Sequence, residues 1–183
     1  MKSITRRRLL WSVPFATAAV AGGGFWAMLS GLKSGKFDPH EINTPLLNRP
    51  IPEFHLDVQP PGMVFNPIIL RQINKPILLN FFASWCIPCL LEMENLQKLS
   101  SQIDIWGIAY KDKPENAENF LQRNGNPYRY LGNDLKGSVG IEWGISGVPE
   151  SFLIMPGGMI RWHYPNPLGE AAIHQIHSLL RKS

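Results

Sequence analysis

Cys86 and Cys89 are the only two cysteines in the chain, and Ile87 and Pro88 separate them. That spacing admits three chemistries. At a helix start, free backbone N–H groups and the positive end of the helix dipole favour the Cys86 thiolate, which is the form that attacks a disulfide. Cys89, one turn later and more shielded, can then resolve the mixed disulfide. In a zinc site the two thiolates would need two further ligands, and the suggestive candidates, His174 and His177, lie far away in the chain. A static disulfide is the third reading, but so small a ring removes little chain entropy, which makes it a weak staple and a good reversible switch. Exchange is therefore the leading chemistry, with Cys86 as nucleophile and Cys89 as resolving thiol.

The flanking elements must place this pair at a strand-to-helix junction. Residues 76–82 form an apolar run of strand length, as suits a central strand covered on both faces. From 87 to 99, Met93, Leu96 and Leu99 recur at helical spacing, Glu92, Glu94 and Lys98 give the segment a polar side, and Pro88 falls in the first turn. Residues 103–110 read as a second strand and 114–123 as a helix, stopped by Asn124-Gly125. Residues 151–155 and 159–164 flank Pro156-Gly157-Gly158 as a hairpin, and a last helix over 168–180 carries the stripe Ala172, Ile176, Leu179 and Leu180. A βαβ unit, a further helix, a hairpin and a closing helix make an α/β thioredoxin fold, a central mixed sheet flanked by helices. Such a fold places a cis proline facing the redox pair, which here is Pro149 in Gly147-Val148-Pro149. The cis turn would leave the backbone of Val148 available to an extended substrate. An ordinary loop proline is the plainer alternative.

Charge and hydropathy divide the chain. The net charge of +4 comes from 18 basic and 14 acidic residues. Lys2, Arg6, Arg7 and Arg8 lie in the first 32 residues, which contain no acid, so the remainder is balanced and offers no field for nucleic acid. The stretch 11–32 is uncharged and exceeds the ~20 residues that span a bilayer. Behind a basic start it predicts a membrane anchor over 1–32 with the remaining chain exported. A cleaved signal peptide is the rival, supported by Ala16-Thr17-Ala18 and Ala19-Val20-Ala21, and a buried soluble helix is a third reading. Thr5 to Leu10 also resembles a twin-arginine export signal. Residues 33–52, with Pro39, Pro45, Pro50 and Pro52, read as a linker, and 53–183 as the thioredoxin-like domain.

Several runs together resemble the CcmG/DsbE family, membrane-anchored thioredoxin-like reductants of cytochrome c maturation. They are Pro50-Ile-Pro52-Glu53-Phe54, Leu78-Leu79-Asn80, Gly107-Ile-Ala-Tyr110-Lys111-Asp112, Pro114-Glu115-Asn116-Ala117, Gly125-Asn126-Pro127-Tyr128 and residues 143–150. The resemblance implies Cys86 and Cys89 as the redox pair, Pro149 as the cis-proline, and Glu92 and Glu150 as acids near it. Asn80 stands where thioredoxins at large bury an Asp. Trp85 would shield the disulfide or pack beside it. This chain departs from the family pattern at Leu90, where a basic residue is usual, at Glu94 in place of a proline, and at Ser146 in place of a tyrosine. The implied substrate is the haem-attachment site of apocytochrome c, or a partner in the haem-ligation complex. Electrons would come from a membrane donor of the DsbD/CcdA type, with the domain on the periplasmic side of the bacterial inner membrane. No cofactor is implied. Other readings are a reductase of copper sites or of disulfides generally, and a metal or haem chaperone that uses the cysteines as ligands. No Met/His-rich segment supports the chaperone.

Overall fold

Strand β1 (Ile77–Phe82) runs through the middle of a five-stranded sheet with all six residues buried. The structure is a computed structural model that describes residues 22–24, 26, 46–61 and 65–181. In chain order its elements are α1 (Pro67–Arg71), β1, α2 (Ile87–Ser100), β2 (Asp104–Tyr110), α3 (Pro114–Asn124), β3 (Tyr128–Asp134), α4 (Ser138–Glu142), β4 (Glu150–Met155), β5 (Met159–Tyr164) and α5 (Glu170–Leu180). The sheet order is β3-β2-β1-β4-β5. β1 pairs parallel with β2 and β2 with β3, while β4 is antiparallel to both β1 and β5.

Successive strand residues point to opposite faces, and each face has its own core. Leu78 and Phe82 pack with Met93, Leu96, Phe120 and Ile176 beneath α2, α3 and α5. Leu79 and Phe81 pack on the other side with Trp106, Phe152, Phe65 and Trp143. Asn80 shares the first face, so a polar side chain sits in the middle of that core. The three parallel strands end at one edge of the sheet, and the turn from β1 into α2 places Cys86 there.

The structure departs from the sequence reading in several places. Strand β3 was not expected, since it ends in Gly132-Asn133-Asp134, a turn-like composition that only pairing with β2 holds extended. The short helices α1 and α4 are likewise additions. The end of the expected linker belongs to the folded unit. Asn48 N–H donates to the Ile160 carbonyl at 2.8 Å, Ile160 N–H to Arg49 at 2.9 Å, and Ile51 is buried. Residues 48–51 thus line the outer edge of β5, because Leu46 and Ile51 supply apolar surface to the second core. Of the expected anchor only residues 22–24 and 26 are described, as helix, and most of the linker lies outside the described residues. Among the described residues no helix is long and apolar enough to cross a membrane.

Candidate active site

Cys86 is the N-cap of α2, and a disulfide joins it to Cys89. Cys89 N–H lies 3.1 Å from Cys86 Sγ, the arrangement by which a helix start supports negative charge on sulfur. Cys86 retains 4% exposure and Cys89 none. The sulfur that can be reached from outside is therefore that of Cys86.

The peptide bond between Val148 and Pro149 is cis. The Val148 carbonyl oxygen stands 3.4 Å from Cys86 Sγ, so this turn faces the reactive sulfur. Val148 is half-buried and packs against both cores.

Glu92 was expected on the polar side of α2, and instead it is buried. It lies three residues after Cys89, on the same face of the helix. Its carboxylate accepts from Asn80 Nδ2 at 2.9 Å and from Leu168 N–H at 2.8 Å. Burial pushes its pKa up to about 7, against the lowering effect of the hydrogen bonds from Leu168 and Asn80. Asn80 also donates to Ser151 Oγ at 3.0 Å and accepts from the Tyr128 hydroxyl at 2.7 Å. Burial and the Glu92 charge both raise the Tyr128 pKa, which keeps that hydroxyl a donor.

Glu150 is buried as well, with both oxygens engaged. Oε1 accepts from Ser146 N–H at 2.6 Å, from Ser146 Oγ at 2.7 Å and from Gly147 N–H at 3.1 Å, while Oε2 lies 2.6 Å from His163 Nε2. Burial acts to raise its pKa, but the His163 and Ser146 hydrogen bonds together outweigh it and hold the carboxyl below its usual range. Glu150 thus ties down the loop that carries the cis bond.

Trp85 is 58% exposed, and its indole N–H donates to the Lys111 carbonyl at 3.3 Å. Beside it the buried Asp112 accepts from Ser84 N–H at 2.6 Å. Lys111 turns the chain with φ 48°, so two successive residues after β2 hold the two residues before Cys86. Asp112 and His163 are site residues that the sequence did not single out. Asp112 was visible only within the Tyr110-Lys111-Asp112 run. Among the described residues no group of three or more His, Cys, Asp or Glu side chains is placed to hold a metal ion.

A dithiol/disulfide pair at a helix start, faced by a cis proline on a mixed sheet, defines a thioredoxin-fold thiol–disulfide oxidoreductase. Residues 47–163 match the model of the AhpC/TSA family. The chain is 36% identical over 157 residues to the thiol:disulfide interchange protein HelX of Rhodobacter capsulatus, covering 85% of each. It is 33% identical to DsbE of Escherichia coli K12, covering 89% of this chain and 88% of that one. The structure of a thiol:disulfide interchange protein DsbE from Chlorobium tepidum superimposes with a TM-score of 0.58 at 26% identity, covering 72% of this chain and 95% of its own. The chain belongs to the AhpC/TSA family and to the DsbE/HelX thiol:disulfide interchange proteins.

Proposed function

We propose that this oxidoreductase is a reductant of cytochrome c biogenesis, keeping the haem-attachment cysteines of apocytochrome c, or of a haem-ligation partner, in the thiol form. The observation that carries a reducing role is the burial of Glu92 one turn from Cys89. An acid in that position disfavours thiolate at the pair, and a pair whose reduced form is little stabilised gives its electrons away more readily. Leu90 adds no compensating positive charge at the helix start.

In the proposed reaction the Cys86 thiolate attacks a substrate disulfide and forms a mixed disulfide. The first substrate sulfur leaves as thiolate and takes a proton from solvent. Cys89 then loses its proton to the Glu92 carboxylate and attacks Cys86 Sγ, releasing the second substrate sulfur as thiolate, which is protonated by solvent as Glu92 returns its proton there, and leaving the Cys86–Cys89 disulfide. Two electrons have passed to the substrate. A membrane donor of the DsbD/CcdA type restores the dithiol. Residues 1–32 hold the domain on the periplasmic face of the inner membrane, a topology supported by the basic start and the uncharged stretch behind it.

The test is a trap. In cells, Cys89→Ser keeps the attacking thiol and lacks the resolving one, so a mixed disulfide through Cys86 should accumulate and be visible on non-reducing electrophoresis. Apocytochrome c or a haem-ligation protein in the trapped species supports the proposal. A broad set of unrelated exported proteins would replace it with general disulfide reduction, and an empty trap in a protein that takes up copper or zinc would favour a chaperone.

A further inference from the structure

We propose that His163 is a positioning residue for disulfide exchange, which acts through Glu150 to set the Ser146–Val148 backbone against Cys86. The inference rests on exchange at Cys86, and it is independent of which protein is the substrate.

The geometry begins with a bulge. In the β4–β5 ladder Leu153 faces Trp162 and Ile154 faces Ile160, so Arg161 is an extra residue on β5. In a regular strand of this sequence Ile160 and Trp162, two residues apart, would share one face and His163 would point to the other. Instead Ile160 lies in the core that contains Phe152, and Trp162 in the opposite core. The bulge thereby puts Trp162 on the face opposite Ile160 and returns His163 to the face of Ile160, Phe152 and Glu150, which plain alternation from Ile160 would not do. His163 is the ladder partner of Phe152 and stacks on its ring at 4.3 Å and 14°. Glu150, two residues before Phe152 on β4, projects from the same face as Phe152. Its carboxylate meets Nε2 of His163 at 2.6 Å, with both side chains almost wholly buried.

A carboxylate only accepts, so Nε2 is the donor in this contact. That bond uses one carboxylate oxygen and orients the other toward the Ser146 N–H, the Ser146 hydroxyl and the Gly147 N–H. The next residue is Val148, whose carbonyl faces Cys86 Sγ. A succession of contacts therefore runs from His163 through Glu150 to the loop against which an extended substrate must lie during attack. A small dithiol reaches Cys86 without using that loop.

The experiment compares full-length wild type with His163→Phe, which keeps the ring on Phe152 and loses the donor, and His163→Gln, which restores an N–H at that distance. Two rates are measured for each: reduction of an extended peptide carrying a glutathione mixed disulfide, and reduction of the Cys86–Cys89 disulfide by dithiothreitol. His163→Phe is expected to slow the peptide reaction about tenfold, chiefly through KM, and the dithiothreitol reaction by less than about twofold, with His163→Gln recovering most of the peptide rate. An unchanged peptide rate, an equal loss toward both reductions, or a Gln variant as impaired as the Phe variant overturns the proposal. Should His163→Phe not fold, His163→Met, which fills the space without a donor, takes its place: a peptide-specific loss supports the proposal, and no loss or an equal loss toward both reductions overturns it. Wild type inert toward the peptide would sink the exchange reading itself, whereas active wild type beside an unaffected His163→Phe sinks this inference alone.

Discussion

Asn80 donates an amide proton to Glu92 across 2.9 Å, and both side chains are buried between β1 and α2. Asn80 is the one polar residue of an otherwise apolar strand, and each of its hydrogen-bonding groups is used: one proton to Glu92, one to Ser151, and its oxygen for Tyr128. A buried acid held this way can exist in either protonation state near neutrality. Cys89 therefore has a proton acceptor one turn away on its own helix.

Glu92 should make stability fall with rising pH. Its folded pKa of about 7 lies above the ordinary 4.5. Its contribution is thus fully present below pH 4.5 and lost as the pH rises through about 7, a change of about 3 kcal/mol at ~1.4 kcal/mol per unit. Urea unfolding of wild type and Glu92→Gln at pH 5 and pH 8 measures it. Wild type should lose about that much more than the variant, and parallel behaviour of the two would show that Glu92 ionises without penalty.

Asp112 should anchor the loop ahead of the redox pair. Asp112→Ala removes the acceptor of Ser84 N–H and is expected to lower stability by about 1–2 kcal/mol, since bonds to a charged group are worth somewhat more than neutral ones. Asp112→Asn keeps an acceptor and should recover half or more. Equilibrium unfolding of the three proteins decides it, and an Ala variant as stable as wild type would mean that water replaces the carboxylate.

Glu150→Gln should lower the Cys86 pKa, because it takes a negative charge away from a developing thiolate. The effect should be small, since Glu150 already shares its charge with His163, Ser146 and Gly147. Alkylation of the reduced protein followed against pH gives the value. A shift upward would mean that slackening of the loop outweighs the lost charge.

The chemistry of the site was more legible in the sequence than its wiring. Cys86 and Cys89 carry their meaning in their spacing, and the apolar run before them and Pro88 after them locate the strand-to-helix turn. The cis bond at Pro149 also followed from element order. The resemblance put Glu92 near the pair, but its burial was not legible, because a Glu beside Glu94 and Lys98 reads as solvated surface and its partners come from β1 and from Leu168, far off in the chain. His163 could not be placed, because its inward direction depends on one extra residue in β5, and a bulge changes the side-chain period without leaving a signature in residue type. Strand β3 was lost for a related reason: its Gly-Asn-Asp end has turn chemistry, and only the ladder with β2 makes it a strand.

Tyr128 is the far end of the same buried network, and it offers a way to show that the network acts as a unit. Its ring stacks on Phe82 at 4.8 Å and fits against Gly107, where a Cβ would come within 2.8 Å of it. Tyr128→Phe keeps that packing and removes only the hydroxyl, leaving Asn80 Oδ1 without its donor in the core. The direct loss should be about 1–3 kcal/mol. A second effect follows from polarisation. A donor on the amide oxygen strengthens the N–H that Asn80 offers to Glu92, so its removal supports the carboxylate less and raises the Glu92 pKa further. Tyr128→Phe should therefore cost more stability at pH 8, where Glu92 is ionised, than at pH 5, where it is protonated. In a Glu92→Gln background that difference should vanish, and the double-mutant cycle at the two pH values isolates the coupling. A Tyr128→Phe loss of the same size at both pH values would show that the hydroxyl serves Asn80 alone and that the acid beside Cys89 is tuned without it.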